Sequence, residues 1–283
     1  MGVHDHAAEP AAGLSSAEGV SQSASGVTLR RQARIARFAL LPVLLIVAWQ
    51  IATYLEAYPQ ALFPQPLRVL DAAHRLILSG ELFVHLGDSL RRIAIANLVS
   101  IAVAVPLGLL MGRYRVFEEI ADGVLNLIRP IPPLAWIPLA ILWFGLGEKA
   151  VVFITLISAF FAILLNTIAG VHRVDKSLVR AALSLGANQA AVLRYVVLPS
   201  TLPHIFTGIR IALGVSWMSI VAAELVAASS GLGFMISYYR ELLRSDLILV
   251  GMLTIGIVGF LMDRALLLLE RQLLPWLVRS DAR

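Results

Sequence analysis

Six apolar blocks, each close to 20 residues long, constrain this chain more than any other feature. A helix of about 20 apolar residues is what crosses the hydrocarbon core of a bilayer. The first block, "FALLPVLLIVAWQIATYL" (38–55), contains no charged residue. The second is "IAIANLVSIAVAVPLGLLMG" (93–112), the third covers about 119–144, and the fourth is "AVVFITLISAFFAILLNTIAG" (150–170). The fifth and sixth cover about 209–228 and 247–269. Only 14% of the 283 residues are charged, against about 25% in a soluble domain. The fold class expected is therefore an all-α membrane protein with six transmembrane helices.

Residues 1–37 read as a disordered tail ending in a basic cluster, Arg30, Arg31, Arg34 and Arg37. The cluster comes too late for a secretory signal and abuts the first block. Residues 38–270 read as the six-span domain, and 271–283 as a second tail. With six spans both termini share a side. The segments on that side hold 15 Lys and Arg, those on the other side 7, and Arg129 falls inside the third block. The bias places both termini and the segment 171–208 in the cytoplasm. The basic residues flank apolar blocks, so the net charge of +5 points to membrane-bordering loops and not to nucleic acid.

Between the first two blocks, Pro59, Pro64 and Pro66 forbid a continuous helix. Val69, Leu70, Ala73, Leu76 and Ile77 then recur at helical spacing, as an interfacial amphipathic helix would. Gly108 and Gly112 form a small-xxx-small pair, which reads either as a close helix approach or as chance.

Several chemistries are unsupported. Without cysteine there is no thiolate metal site or cysteine nucleophile. The six histidines are scattered, with no metal-helix spacing. No G-x-x-x-x-G-K-[ST] loop, G-x-S-x-G elbow or H-E-x-x-H motif is present. Any ATP-powered work must draw on a partner, and the chain is not read as an enzyme.

Ionisable groups within spans are costly and often functional. Glu224, in the fifth block, reads either as a structural hydrogen-bonding group or as part of an outer gate. Asp263 and Arg264 sit at a span end, where side chains can snorkel. Arg129 precedes the proline-rich "RPIPPLAWIP". There Pro130, Pro132 and Pro133 each remove a backbone donor, and irregular backbone at membrane depth survives only against protein or a wet cavity. That segment reads either as a wall of a translocation path or as a kinked packing helix. Trp136, Trp143 and Trp217 could line such a path or sit at interfaces.

The segment "RAALSLGANQAAVLRYVVLP" (180–199) looks soluble between greasy blocks. Ala181, Ala182 and Leu185 make a small smooth face. Gly186 suits a helix C-terminus, Asn188 can cap a following helix, and Pro199 is expected to stop it. Such a face can enter another protein's groove or pack on its own bundle.

This segment resembles the "EAA" loop of binding-protein-dependent ABC-importer permeases: E-A-A, three residues, Gly, nine residues, I-x-L-P. Here the pattern runs Arg180-Ala181-Ala182, Gly186 and Val196-Val197-Leu198-Pro199, with Arg180 replacing the acid. "PLAWIPLAILWFGLGE" (133–148), "SLGANQAAVLRYVVLPSTLPHIFTGIRIALGVSW" (184–217) and "AAELVAASSGLGFMI" (222–236) resemble the branch importing sulfonates, taurine or nitrate. Related permeases for thiamine-precursor pyrimidines share these blocks.

The resemblance implies a type I ABC-importer permease fold in the bacterial inner membrane. It implies a homodimer working with an ABC ATPase subunit and a periplasmic solute-binding protein, with ATP and Mg²⁺ bound by the ATPase and no cofactor in this chain. It assigns ATPase coupling to Arg180, Ala181, Ala182, Leu185, Gly186, Leu198 and Pro199. An ion-coupled secondary transporter is the alternative, but such proteins usually carry internal repeats, and none is visible here.

Overall fold

The computed structural model describes residues 40, 41, 43–55 and 62–274. The tail expected at 1–37 and most of that expected at 271–283 lie outside them. The chain divides into two units, Met1–Pro66 and Leu67–Arg283, and each is described by itself. In the first, α1 (Val43–Tyr54) is a short apolar helix. Its Trp49 indole N–H donates to the Pro64 carbonyl at 3.1 Å and its ring lies 6.1 Å from that of Phe63.

The second unit begins with α2 (Pro66–Leu78), an amphipathic helix that buries Val69, Ala72 and Leu76 and leaves Leu70 and Ile77 exposed. α3 (Glu81–Arg113), α6 (Glu148–His172) and α9 (Leu198–Ala227) form the core of the bundle. Ala104, Met111, Ala159, Ile163, Leu164 and Ala212 are its fully buried centre. In lipid, apolar burial gives helices little reason to associate, so close packing and interhelical hydrogen bonds must hold them. Both are present. Ser158 donates to Ser219 at 2.6 Å, Asn97 to Ser216 at 3.0 Å, and Ser100 to the Leu156 carbonyl at 3.1 Å.

The Gly108/Gly112 pair is a true close approach, made inside this chain. A Cβ at Gly108 would lie 2.8 Å from that of Thr167, and one at Gly112 would lie 2.6 Å from that of Val171, both on α6. Gly108→Leu is expected to destabilise the bundle by about 1–3 kcal/mol through overpacking, read as a lowered thermal midpoint of the detergent-solubilised protein.

Four helical runs are long and apolar enough to cross a membrane: α3, α6, α11 (Ser245–Leu273) and the 39-residue run Gln189–Ala227. The third span expected at 119–144 is not one helix. It is α4 (Arg115–Ile128), a 3₁₀ turn (Pro133–Trp136) and α5 (Ile137–Phe144), bent by 81° between Ile128 and Pro133. Counted as one span, this pair makes five among the described residues; α1 is a shorter apolar helix, which is consistent with the first of the six expected spans. The second span starts earlier than expected, at Glu81, so Arg91 and Arg92 lie within α3 and not in a loop.

Candidate functional site

Two constellations stand at opposite ends of α9. The first is the segment after α6. Here α7 (Lys176–Ser184) starts at Asp175, whose carboxylate accepts from the Ser177 N–H at 2.7 Å. That bond, more than the nearby Arg180 charge, holds the Asp175 carboxyl below its ordinary range. α7 ends in a Schellman motif. The Ala187 N–H donates to the Ala182 carbonyl at 3.1 Å and the Gly186 N–H to the Leu183 carbonyl at 3.0 Å. Gly186 sits at φ +85°, the left-handed region glycine enters without steric cost. Two residues on, the Asn188 side chain accepts from the Ala191 N–H at 2.8 Å and caps α8 (Gln189–Val192). The Gly-Ala-Asn turn is thus a helix stop followed at once by a helix start.

Pro199 does not end that helix, contrary to expectation. Leu193–Val197 widen into a π-helical turn, and the Leu198 N–H reaches back five residues to the Leu193 carbonyl. The wider turn accommodates a residue with no N–H, and the chain continues from Gln189 to Ala227. Leu198 and Pro199 are half-buried within this run.

One side of α7 is anchored. Val179 and Ala182 pack on the buried Val171, Val192 and Val197. Ala182 therefore faces inward, and the exposed stripe is Leu178, Ala181 and Leu185. Leu185 is 88% exposed, an unusual state for leucine in a segment otherwise so well capped. Arg180 points elsewhere. At about 100° per residue, Lys176 and Arg180 fall on roughly the opposite side of the helix from that stripe. They line a cleft of about 680 Å³ with Arg113 and His172.

The second constellation lies around Glu224, near the far end of α9. Glu224 is 1% exposed and Arg92 4%. Arg92 Nη1 donates to Glu224 Oε1 at 2.7 Å and to the Ser230 carbonyl at 2.8 Å, while Nη2 donates to Ser230 Oγ at 2.8 Å. The Gly233 N–H donates to Glu224 Oε2 at 2.9 Å, and Ser89 Oγ lies 2.9 Å from both carboxylate oxygens. Ser89 also accepts from the Leu232 N–H at 2.9 Å, and His85 Nδ1 from the Gly231 N–H at 3.1 Å. The network ties the turn between α9 and α10 (Leu232–Glu241) to α3. At Gly231, φ +107°, a Cβ would collide with the Glu224 carboxylate. Nearby, the Tyr239 hydroxyl donates to Glu81 at 2.7 Å. Burial and that carboxylate push the phenol well above its ordinary pKa.

The other path candidates are not brought together with Glu224. Arg129, Pro130 and Pro132 are exposed at the bend after α4, and Pro133 is half-buried. Arg129 has no ion partner among the described residues. The indole nitrogens of Trp136 and Trp217 are buried without a hydrogen-bond partner. Trp217 packs beside Gly259 of α11. Asp263, which reads as a span-end residue, is in a two-point ion pair with Arg210 at 2.6 and 3.2 Å. Neither that pair nor Arg92–Glu224 is visible in sequence, because their members stand 53 and 132 residues apart. The one sequence hint was the cost of a carboxylate inside an apolar block.

The family model for the inner membrane component of binding-protein-dependent transport systems matches residues 104–275. The chain belongs to this family. The taurine transport system permease protein TauC of Escherichia coli is 41% identical over 241 residues, covering 83% of this chain and 87% of that protein. The nitrate import permease protein NrtB of Synechocystis is 31% identical over 252 residues, covering 86% of this permease and 90% of its relative. A crystal structure of an amino acid ABC transporter with histidines shares the fold, with a TM-score of 0.53 and 19% identity over 66% of this chain and 92% of that one. The permease is thus an ABC-importer membrane component with several spans in the inner membrane. Its relatives are transport components and not enzymes.

Proposed function

We propose that this permease forms the translocation path for a small solute bearing an anionic group, taurine or another sulfonate or nitrate, and is driven by a separate ABC ATPase. The carrying observation is α7: a short helix fixed by two caps and a valine cluster, presenting Leu178, Ala181 and Leu185 to the outside. A rigid helix with an exposed apolar stripe suits helix-in-groove docking. Two permease copies work with two ATPase subunits and a periplasmic solute-binding protein, and both termini face the cytoplasm. ATP binding closes the ATPase dimer, and α7 moves with it. Motion passes through α6 and the Gln189–Ala227 run, which are continuous with the loop, and the path switches between inward and outward access. The exposed Arg129–Pro132 bend is the part of the chain best placed to change shape, since its backbone is already broken.

The anionic class is supported by the taurine and nitrate relatives. The experiment is uptake into vesicles holding the permease and its ATPase, with the binding protein supplied outside. Taurine, an alkanesulfonate, nitrate and a neutral pyrimidine are offered with and without ATP. The expected result is ATP-dependent uptake of one anion class. Uptake without ATP would overturn the ATPase coupling, and uptake of the pyrimidine alone would overturn the anionic assignment.

A further inference from the structure

The cleft behind α7 has a chemistry that the apolar Leu178–Leu185 stripe does not share. Its polar lining is Arg113 at the end of α3, His172 at the end of α6, and Lys176 and Arg180 one turn apart on α7. Its remaining walls are Gly112, Val171, Val174, Val179 and Val197, and no carboxylate among the described residues lines it. Two acids beside it are already engaged. Glu118 lies 3.4 Å from His172, and Asp175 caps its own helix. Arg113 is steered by a 2.6 Å bond to Gln189. Lys176 and Arg180 form no ion pair among the described residues. The first turn of α7 is capped by Asp175, which takes the N–H groups of Ser177, Leu178 and Val179, so the site rests on the side-chain cations and not on the helix end.

We infer that this cleft is a binding site for a phosphate-type oxyanion. The Asp175 carboxylate, which feels the Arg180 charge, is held by its own helix cap, and three permanent cations from two elements line one concave space. A multivalent oxyanion with several acceptor atoms satisfies them together, as Arg and Lys sites for phosphate do. The cleft opens where the apolar runs of α3 and α6 end, which is headgroup depth, and valines form its walls. An anionic lipid headgroup and free phosphate both present this chemistry. The site faces away from the Leu178–Leu185 stripe, so its occupant adds to the ATPase contact and does not replace it. Arg180, which departs from the family's acidic residue, becomes a ligand of this cleft.

The test uses the full-length permease purified in detergent. Retained phosphatidylglycerol and phosphatidylcholine are counted by native mass spectrometry, and inorganic phosphate binding is measured by calorimetry. The wild-type chain is expected to retain phosphatidylglycerol over phosphatidylcholine, or to bind inorganic phosphate. Retention that excess phosphate does not displace identifies the lipid as the source, and displacement identifies the free anion. Lys176→Gln with Arg180→Gln is expected to weaken binding about 25-fold, roughly fivefold for each cation lost. Both side chains are exposed and unpaired, and an unchanged circular dichroism spectrum checks the fold. Absence of both ligands from the wild type would overturn the site, as would equal binding by the double variant. Loss of ATPase co-purification with phosphate and lipid binding intact would assign the cations to the ATPase instead, and overturn it equally.

Discussion

Leu185→Asp is expected to abolish ATP-driven uptake while leaving the permease folded and inserted in the membrane. Leu185 is 88% exposed, so little packing is lost within the chain. Its place at the end of α7 makes a new negative charge mildly unfavourable, by about 0.3–1 kcal/mol. The cost at the docked interface is larger. A central apolar anchor commonly contributes about 2 kcal/mol or more, and an unpaired charge buried in its place adds a desolvation penalty. ATPase affinity should therefore fall by at least about 30-fold. Co-purification of the tagged permease with its ATPase reads the docking step, and the thermal midpoint of the permease alone reads folding. Normal uptake by the variant would show that the Leu178–Ala181–Leu185 stripe is not the coupling surface. Lost uptake together with a large fall in the midpoint would show that Leu185 packs within the bundle.

The loop was legible in sequence because its information is local. Gly186 and Asn188 stand where a helix stop and a helix start need a left-handed residue and a short acceptor, and the structure uses them so. Pro199 misled because the compensation is equally local but unsignalled. A π turn over Leu193–Val197 absorbs the proline, and nothing in those residues forces it. The broken third span was half visible. The prolines announced irregular backbone, but the 81° bend depends on what α4 and α5 pack against. Sequence spacing places Ala182 on one small face with Ala181 and Leu185. The valine cluster beneath α7 assigns it inward, and that cluster draws on α6 and the π turn. Arg92 falls just outside the apolar block at 93–112, behind the polar run "GDSLRR", so no local signal marks it as helical and buried. α3 extends through that run because Arg92 and Ser89 find a carboxylate on another helix.

Arg92→Leu is expected to be among the most destabilising single changes in the molecule. The Arg92–Glu224 pair is nearly free of solvent, with side-chain exposures of 4% and 0%. Forming such a pair from solvated ions gains little, but removing one partner strands the other in a medium that cannot solvate it. The cost is about 3–5 kcal/mol, and for a chain of this size the thermal midpoint should fall by roughly 10 °C. The Ser89 hydroxyl and the Gly233 N–H still reach the carboxylate in the variant, which favours the lower end. Arg92 also donates to the Ser230 carbonyl and hydroxyl, so its loss frees the α9–α10 turn and favours the upper end. The discriminating measurement is a double-mutant cycle with Glu224→Leu. If the stranded charge dominates, Arg92→Leu with Glu224→Leu will be clearly more stable than Arg92→Leu alone, because neither charge is left buried. Additive losses would mean that the turn contacts, and not the ion pair, carry the cost. The same cycle in uptake assays separates roles at this end of α9. A double variant that regains stability but not transport would place Glu224 in the gating of the path. One that regains both would make the pair a structural tie between α3 and α9.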